Sequence, residues 1–111
     1  MKKNNSKKII KDKNLEIFTE QLRKQFTDHL KKIILFGSRA RGDNDRDSDY
    51  DFLLILDKVT PEIENKILDL EGEIGCEYGV VFSTFPFTEE DLHRRRYSPF
   101  IINARKEGTI L

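Results

Sequence analysis

Gly37-Ser38 and, ten residues further on, Asp49-x-Asp51 are the residues whose types and spacing suit chemistry. Gly37 closes an apolar run and precedes what the pattern predicts to be one helical turn. Glycine lets a bulky ligand approach the backbone, and the N–H groups at the head of a helical turn suit phosphate oxygens. Ser38 adds a hydroxyl donor, and Arg39 and Arg41 bring positive charge. Asp49 and Asp51 alternate along a predicted strand, so both project from one face, ~7 Å apart. Carboxylates that close repel one another unless a cation lies between them. Mg²⁺ favours one or two carboxylates plus substrate phosphates. Each half alone is common, since most Asp-rich loops are merely solvated. Together they describe a nucleoside triphosphate site for in-line phosphoryl or nucleotidyl transfer.

Several elements must position these residues. Asn14 is the expected N-cap of a helix whose apolar stripe is Leu15, Phe18, Leu22, Phe26 and Leu30. Ile33 to Phe36 form a continuous apolar run, which predicts a strand buried on both faces. Residues 42–48 are a polar, Asp-rich loop. Asp49 to Leu56 predicts a second strand, with Asp49, Asp51, Leu53 and Ile55 on one face. Thr60-Pro61 reads as an N-cap with proline in the first turn. The stripe Ile63, Ile67, Leu70, Ile74 follows, closing near Gly72 or Gly75. Val80 to Phe85 predicts a third strand. Thr88 caps a short helix, Ser98-Pro99 starts another, and Gly108 is its expected C′ stop. Thr109 to Leu111 suits a short terminal strand. The alternation predicts an α/β (α+β) class domain, a mixed β-sheet flanked by helices.

Composition narrows the function. The 111 residues suit one small domain. Twenty basic and twenty acidic residues cancel, so tight nucleic-acid binding, which needs a basic surplus, is not expected. Residues 1–13 hold six lysines and one aspartate and read as a basic flexible tail. No apolar run approaches the length of a membrane span. One cysteine, Cys76, allows no internal disulfide and reads as a packing residue. Cytoplasmic localisation is the expectation. Phe82, Phe85, Phe87 and Phe100 are expected core. His93 and Arg94 to Arg96 follow Glu89, Glu90 and Asp91, which predicts a solvated helix with internal pairs. Tyr97 and Pro99 to Ile102 form an apolar segment suited in part to a partner surface.

Gly37-Ser38, ten residues, then Asp49-x-Asp51 resembles the signature of the polymerase-β-like nucleotidyltransferase superfamily. Leu-Phe-Gly-Ser-Arg-Ala-Arg-Gly (35–42) and Asp-Ser-Asp-Tyr-Asp-Phe (47–52) resemble its minimal nucleotidyltransferases, as do Ser98-Pro99 and Glu107-Gly108. The resemblance covers residues 14–111. It implies the nucleotidyltransferase fold, with Gly37 and Ser38 at the nucleotide and Asp49 and Asp51 binding Mg²⁺; beside them Arg39 is a candidate for the nucleotide, the alternative being that it pairs with the nearby aspartates to hold the loop. It implies transfer of AMP from ATP to a hydroxyl on a partner protein. It also implies the role of antitoxin to a HEPN-domain toxin.

The family pattern has a third carboxylate on a neighbouring strand, expected near Val80 or Val81. Gly-Val-Val-Phe-Ser-Thr-Phe (79–85) contains none. Glu77, sharing a predicted strand face with Gly79, Val81 and Ser83, is the candidate for that catalytic place. Two readings follow: a live adenylyltransferase using Asp49, Asp51 and Glu77, or a catalytically degenerate fold that neutralises its partner by binding. Of the two arginines, Arg41 is the one assigned more readily to structure.

Overall fold

The computed structural model describes residues 12–111. The elements run α1 (Lys13–Gln25), β1 (Leu30–Phe36), α2 (Ser38–Arg41), β2 (Tyr50–Leu56), α3 (Pro61–Tyr78), β3 (Phe82–Thr88), α4 (Glu89–Arg94), α5 (Pro99–Glu107) and β4 (Thr109–Ile110). The strands form one mixed sheet in the order β3-β2-β1-β4. β1 is antiparallel to both β2 and β4, while β2 and β3 are parallel. The expected α+β class with a mixed sheet and flanking helices is what the chain adopts.

Strand alternation divides the core into two layers. Ile33, Leu35, Tyr50, Phe52, Leu54, Leu56 and Phe82 pack against the apolar stripes of α1 and α3. Ile34, Phe36, Leu53 and Ile55 pack against Leu92 of α4 and Ile101 and Ala104 of α5. β1 and β2 are therefore covered on both faces, as their continuous apolar runs require. β3 is an edge strand, which accommodates Pro86 without loss of a ladder bond on its free side. Of the phenylalanines expected in the core, Phe82 is buried, Phe85 and Phe87 are half-buried, and Phe100 is exposed. Cys76 is exposed rather than packed.

Several boundaries move for local reasons. Asp12, not Asn14, caps α1: its side chain accepts from the Leu15 N–H. Lys13, expected in the basic tail, is the first residue of α1, and residues 1–11 of that expectation lie outside the described residues. Leu30 belongs to β1 rather than to the helix. Thr60 caps α3 as expected, but α3 runs past Gly72 and Gly75 to Gly79, whose φ of 68° ends it. Thr88 and Asp91 form the reciprocal capping box of α4.

Gly108 follows α5, but in extended backbone (φ −73°, ψ 152°) rather than the left-handed form. Its lack of a side chain matters for space. A Cβ there would lie 2.4 Å from the Ala104 carbonyl oxygen and 2.5 Å from Ile34 Cγ2. Gly108→Ala is expected to destabilise the domain by about 1–3 kcal/mol, as overpacking does. A urea midpoint equal to wild type would refute that contact.

Glu71 of α3 reaches the edge strand, accepting from the Thr84 N–H at 3.1 Å and from the Thr84 hydroxyl. Burial pushes its carboxyl above the ordinary glutamate value of 4.5, and the Thr84 bonds only partly oppose this. A carboxyl raised in the folded state supports folding below its unfolded value. That support is lost as pH rises through the folded value. Glu71→Gln keeps an oxygen acceptor for Thr84 without the charge. The Gln variant should gain stability relative to wild type as pH rises from 4 toward neutral. A pH-independent difference between their urea midpoints would contradict this account.

Candidate active site

The site forms where β1 and β2 lie side by side. Phe36, the last residue of β1, pairs with Asp51. The turn that begins at Gly37 therefore starts directly beside the Asp51 carboxylate. Gly37 has φ 78° and ψ −161°, a region open essentially to glycine alone. A Cβ at Gly37 would lie 2.6 Å from Asp51 Oδ2. The missing side chain thus makes room for the carboxylate. Ala40 and Arg41 N–H both donate to the Gly37 carbonyl, at 3.1 and 3.0 Å. The Ser38 and Arg39 amides at the head of the turn have no acceptor among the described residues. The phosphate-type turn and the carboxylates, read as two halves from the sequence, come together at one strand pair.

Asp51 is half-buried and projects on the α4–α5 side of the sheet, in phase with Leu53 and Ile55. Asp49 lies one residue before β2 and is exposed. Burial first, and then the charge of Asp49, push the Asp51 carboxyl above its ordinary range. Glu107 adds to that shift and Arg41 opposes it. An oxygen-only pair whose mutual charge Arg41 offsets only in part fits a hard divalent cation. Among the described residues, no three His, Cys, Asp or Glu side chains gather as a ready metal cage. Two carboxylates completed by substrate phosphates are the arrangement Mg²⁺ accepts.

The two arginines are held by different partners. Arg39, a candidate for the nucleotide, braces the 42–49 loop. Its Nε donates to the Ser48 carbonyl at 3.0 Å, and a terminal nitrogen reaches the Arg46 carbonyl at 3.2 Å. Its guanidinium stacks 3.9 Å from the Tyr50 ring centroid and lies 3.6 Å from Asp12 Oδ2. The Tyr50 hydroxyl donates to Asp12, at 2.7 Å to Oδ2. Burial and this bond push the Tyr50 phenol up to about 12, so it remains a donor at physiological pH. Arg41, expected to be structural, is half exposed and pairs with Asp43 and Glu107. Asp12 and Glu107 had no local signal for these roles. They lie 38 and 70 residues from their partners Tyr50 and Gly37.

The nucleotidyltransferase domain family matches residues 15–111. A relative provisionally named protein adenylyltransferase MJ0604, from Methanocaldococcus jannaschii, is 34% identical over 100 residues. The alignment covers 90% of this chain and 96% of that one. This chain belongs to the nucleotidyltransferase domain family. A second M. jannaschii protein with the same provisional name, MJ0141, is 37% identical over 57 residues, covering 50% of this chain and 58% of its own. A toxin–antitoxin crystal structure with AMP-PNP superposes at a TM-score of 0.51 and 21% identity. That match covers 64% of this nucleotidyltransferase and 56% of the solved chain. A mutant MntA–HpeT toxin–antitoxin structure superposes at 0.59 and 15% identity, covering 87% and 70%. These last two likenesses are of fold.

At β3 the carboxylate expected near Val80 or Val81 is absent. Asp51 pairs with Ser83 and Tyr50 with Phe82, so Val81 lies level with Asp49. The Tyr50 N–H donates to the Val81 carbonyl. Val81 is 55% exposed, an apolar side chain beside a carboxylate pair. Glu77 does not fill the gap. It belongs to α3, not to a strand, and borders a hollow with Ile17, Gln21 and Glu73. α3 packs on the opposite face of the sheet from Asp51. The expected strand alternation fails because the helix continues to Tyr78. Besides Asp51, a second carboxylate approaches the Gly37 turn: Glu107, from the end of α5. No helix among the described residues is long and apolar enough to cross a membrane.

Proposed function

We propose that this chain is a Mg²⁺-dependent adenylyltransferase that moves AMP from ATP to a hydroxyl on a partner protein, as the antitoxin of a HEPN-type toxin–antitoxin pair. The observation that carries the reading is the Asp51 carboxylate seated against the Gly37 turn, with Asp49 beside it. The Ser38 hydroxyl and the Ser38 and Arg39 amides donate to the triphosphate at the head of the turn. Arg41 lies at its other end with a guanidinium half exposed to solvent. Asp49 and Asp51 would hold the cation, which when bound would supply neutralisation of charge developing on the phosphate oxygens. The acceptor oxygen forms a bond to the α-phosphorus, the bond to the β-phosphate oxygen breaks, and pyrophosphate leaves. The acceptor proton passes to water, since β3 offers no carboxylate beside the pair. The names of the adenylyltransferase relatives and the toxin–antitoxin fold neighbours support this reading.

Val81 and Ser83, in place of a carboxylate, favour a second reading: a binding antitoxin on a degenerate site. One experiment separates the two. The protein is purified with the product of its adjacent gene and incubated with Mg²⁺ and ATP labelled at either the α- or the γ-phosphate. Adenylylation labels the partner from the α-position alone. An intact complex with no label from either position, whichever nucleoside triphosphate is supplied, rejects the enzyme and leaves the binding module. Label from the γ-position indicates a kinase and rejects both.

A further inference from the structure

Glu107 is the last residue of α5, and its carboxylate spans the whole Gly37 turn. Oε1 accepts from the Gly37 N–H at 3.1 Å, and Oε2 accepts from the Arg41 guanidinium at 3.0 Å. The two partners are the first and last residues of the turn, and both lie more than sixty positions away in the chain. The Glu107 side chain is 25% exposed, against 45% for Arg41. Its backbone has little freedom, because Gly108 is wedged against Ala104 and Ile34. A carboxylate held this way restrains both ends of a short turn whose glycine adopts a conformation open essentially to glycine alone. It also neutralises and aims a guanidinium that the exposed Asp43 alone would hold weakly.

We infer that Glu107 is a positioning residue for nucleotide binding: it fixes the Gly37 peptide and aims Arg41 at the triphosphate. Glu107 touches neither the nucleotide nor the reacting atoms. The inference rests on the adenylyltransferase reading only in assigning a triphosphate to this turn. Glu107→Gln keeps a carbonyl acceptor for the Gly37 N–H but presents an amide in place of the charge paired with Arg41.

The test measures dissociation constants for a fluorescent ATP analogue with Mg²⁺, on the full chain. The proteins are wild type, Glu107→Gln, Arg41→Gln and the double variant, with a thermal melt of each. Each single change is expected to weaken binding ~5–10-fold with melting within a few degrees of wild type. The double variant is expected to bind no worse than the weaker single, because the two residues act as a unit. Unchanged or tighter binding by Glu107→Gln overturns the inference, as do single effects that multiply in the double variant. Should Glu107→Gln fail to fold, Arg41→Gln reports on the same pair from its exposed end, and unchanged binding there overturns the inference equally. Absence of nucleotide binding by wild type removes the triphosphate site, and with it both this inference and the reading it rests on. Normal wild-type binding with indifferent variants removes the inference alone.

Discussion

Asp51→Asn is expected to lower AMP transfer by ~10³-fold or more while leaving the protein at least as stable as wild type. Carboxylates that hold the cation account for several kcal/mol of transition-state stabilisation, and each 1.36 kcal/mol is about tenfold in rate. The stability half follows from the shift of the Asp51 carboxyl. Burial and the neighbouring charges of Asp49 and Glu107 raise it above its ordinary range, against the opposing effect of Arg41. A carboxyl raised on folding contributes stability below its unfolded value and loses it as pH rises through the folded value. At neutral pH the ionised Asp51 therefore works against the fold, and asparagine relieves it. Loss of transfer with an equal or higher melting temperature, recorded without Mg²⁺, is the expected pair of results. Asp49→Asn, at an exposed position, should lose transfer with melting nearly unchanged. If both variants transferred AMP at the wild-type rate, the carboxylate site would be abandoned.

Gly37→Ala combines two costs at one atom. Its backbone lies at φ 78°, ψ −161°, where a side chain costs about 1–3 kcal/mol. The added Cβ would also lie 2.6 Å from Asp51 Oδ2, so the carboxylate or the turn must move. Together these are expected to remove about 2–5 kcal/mol of stability. Any protein that stays folded should transfer AMP ~10²-fold more slowly, as a displacement near 1 Å in a reacting site does. The same substitution thus reads out both halves of the site. Wild-type stability together with wild-type transfer would show that Gly37 is not pressed against Asp51. Loss of stability alone would leave the turn structural and unconnected to the chemistry.

The contact between Gly37 and Asp51 also shows what was legible in advance. Gly37, Ser38, Asp49 and Asp51 were legible as a candidate site, because each half of it is encoded within a few consecutive residues. The stripes of α1 and α3, the Thr60 and Thr88 caps and the apolar runs of β1 and β2 are local signals of the same kind. They set the helices and strands of a mixed sheet without any long-range information, and packing then puts α1 and α3 on one face. Glu77 was misplaced because the difference between a strand entrance and the last turn of a helix is only where α3 stops. That stop is set at Gly79, where the chain must turn to feed a parallel edge strand. The partners of Arg39 had no local signal, because a guanidinium goes wherever carbonyls and carboxylates converge. For Arg39 these come from Asp12, Asp45, Arg46 and Ser48, which only folding gathers.

By itself the sequence determined the element types, the mixed α+β class and the pairing of a glycine turn with two aspartates, since periodicity, capping and spacing act over a few residues. Tertiary structure alone decided which side of the sheet each carboxylate occupies. It set Val81 beside Asp49, left Glu77 on the far face, and brought Glu107 across seventy residues to the Gly37 amide. Contacts of that kind depend on strand register and on the packing of α5 over the sheet, and neither leaves a mark in the residues nearby.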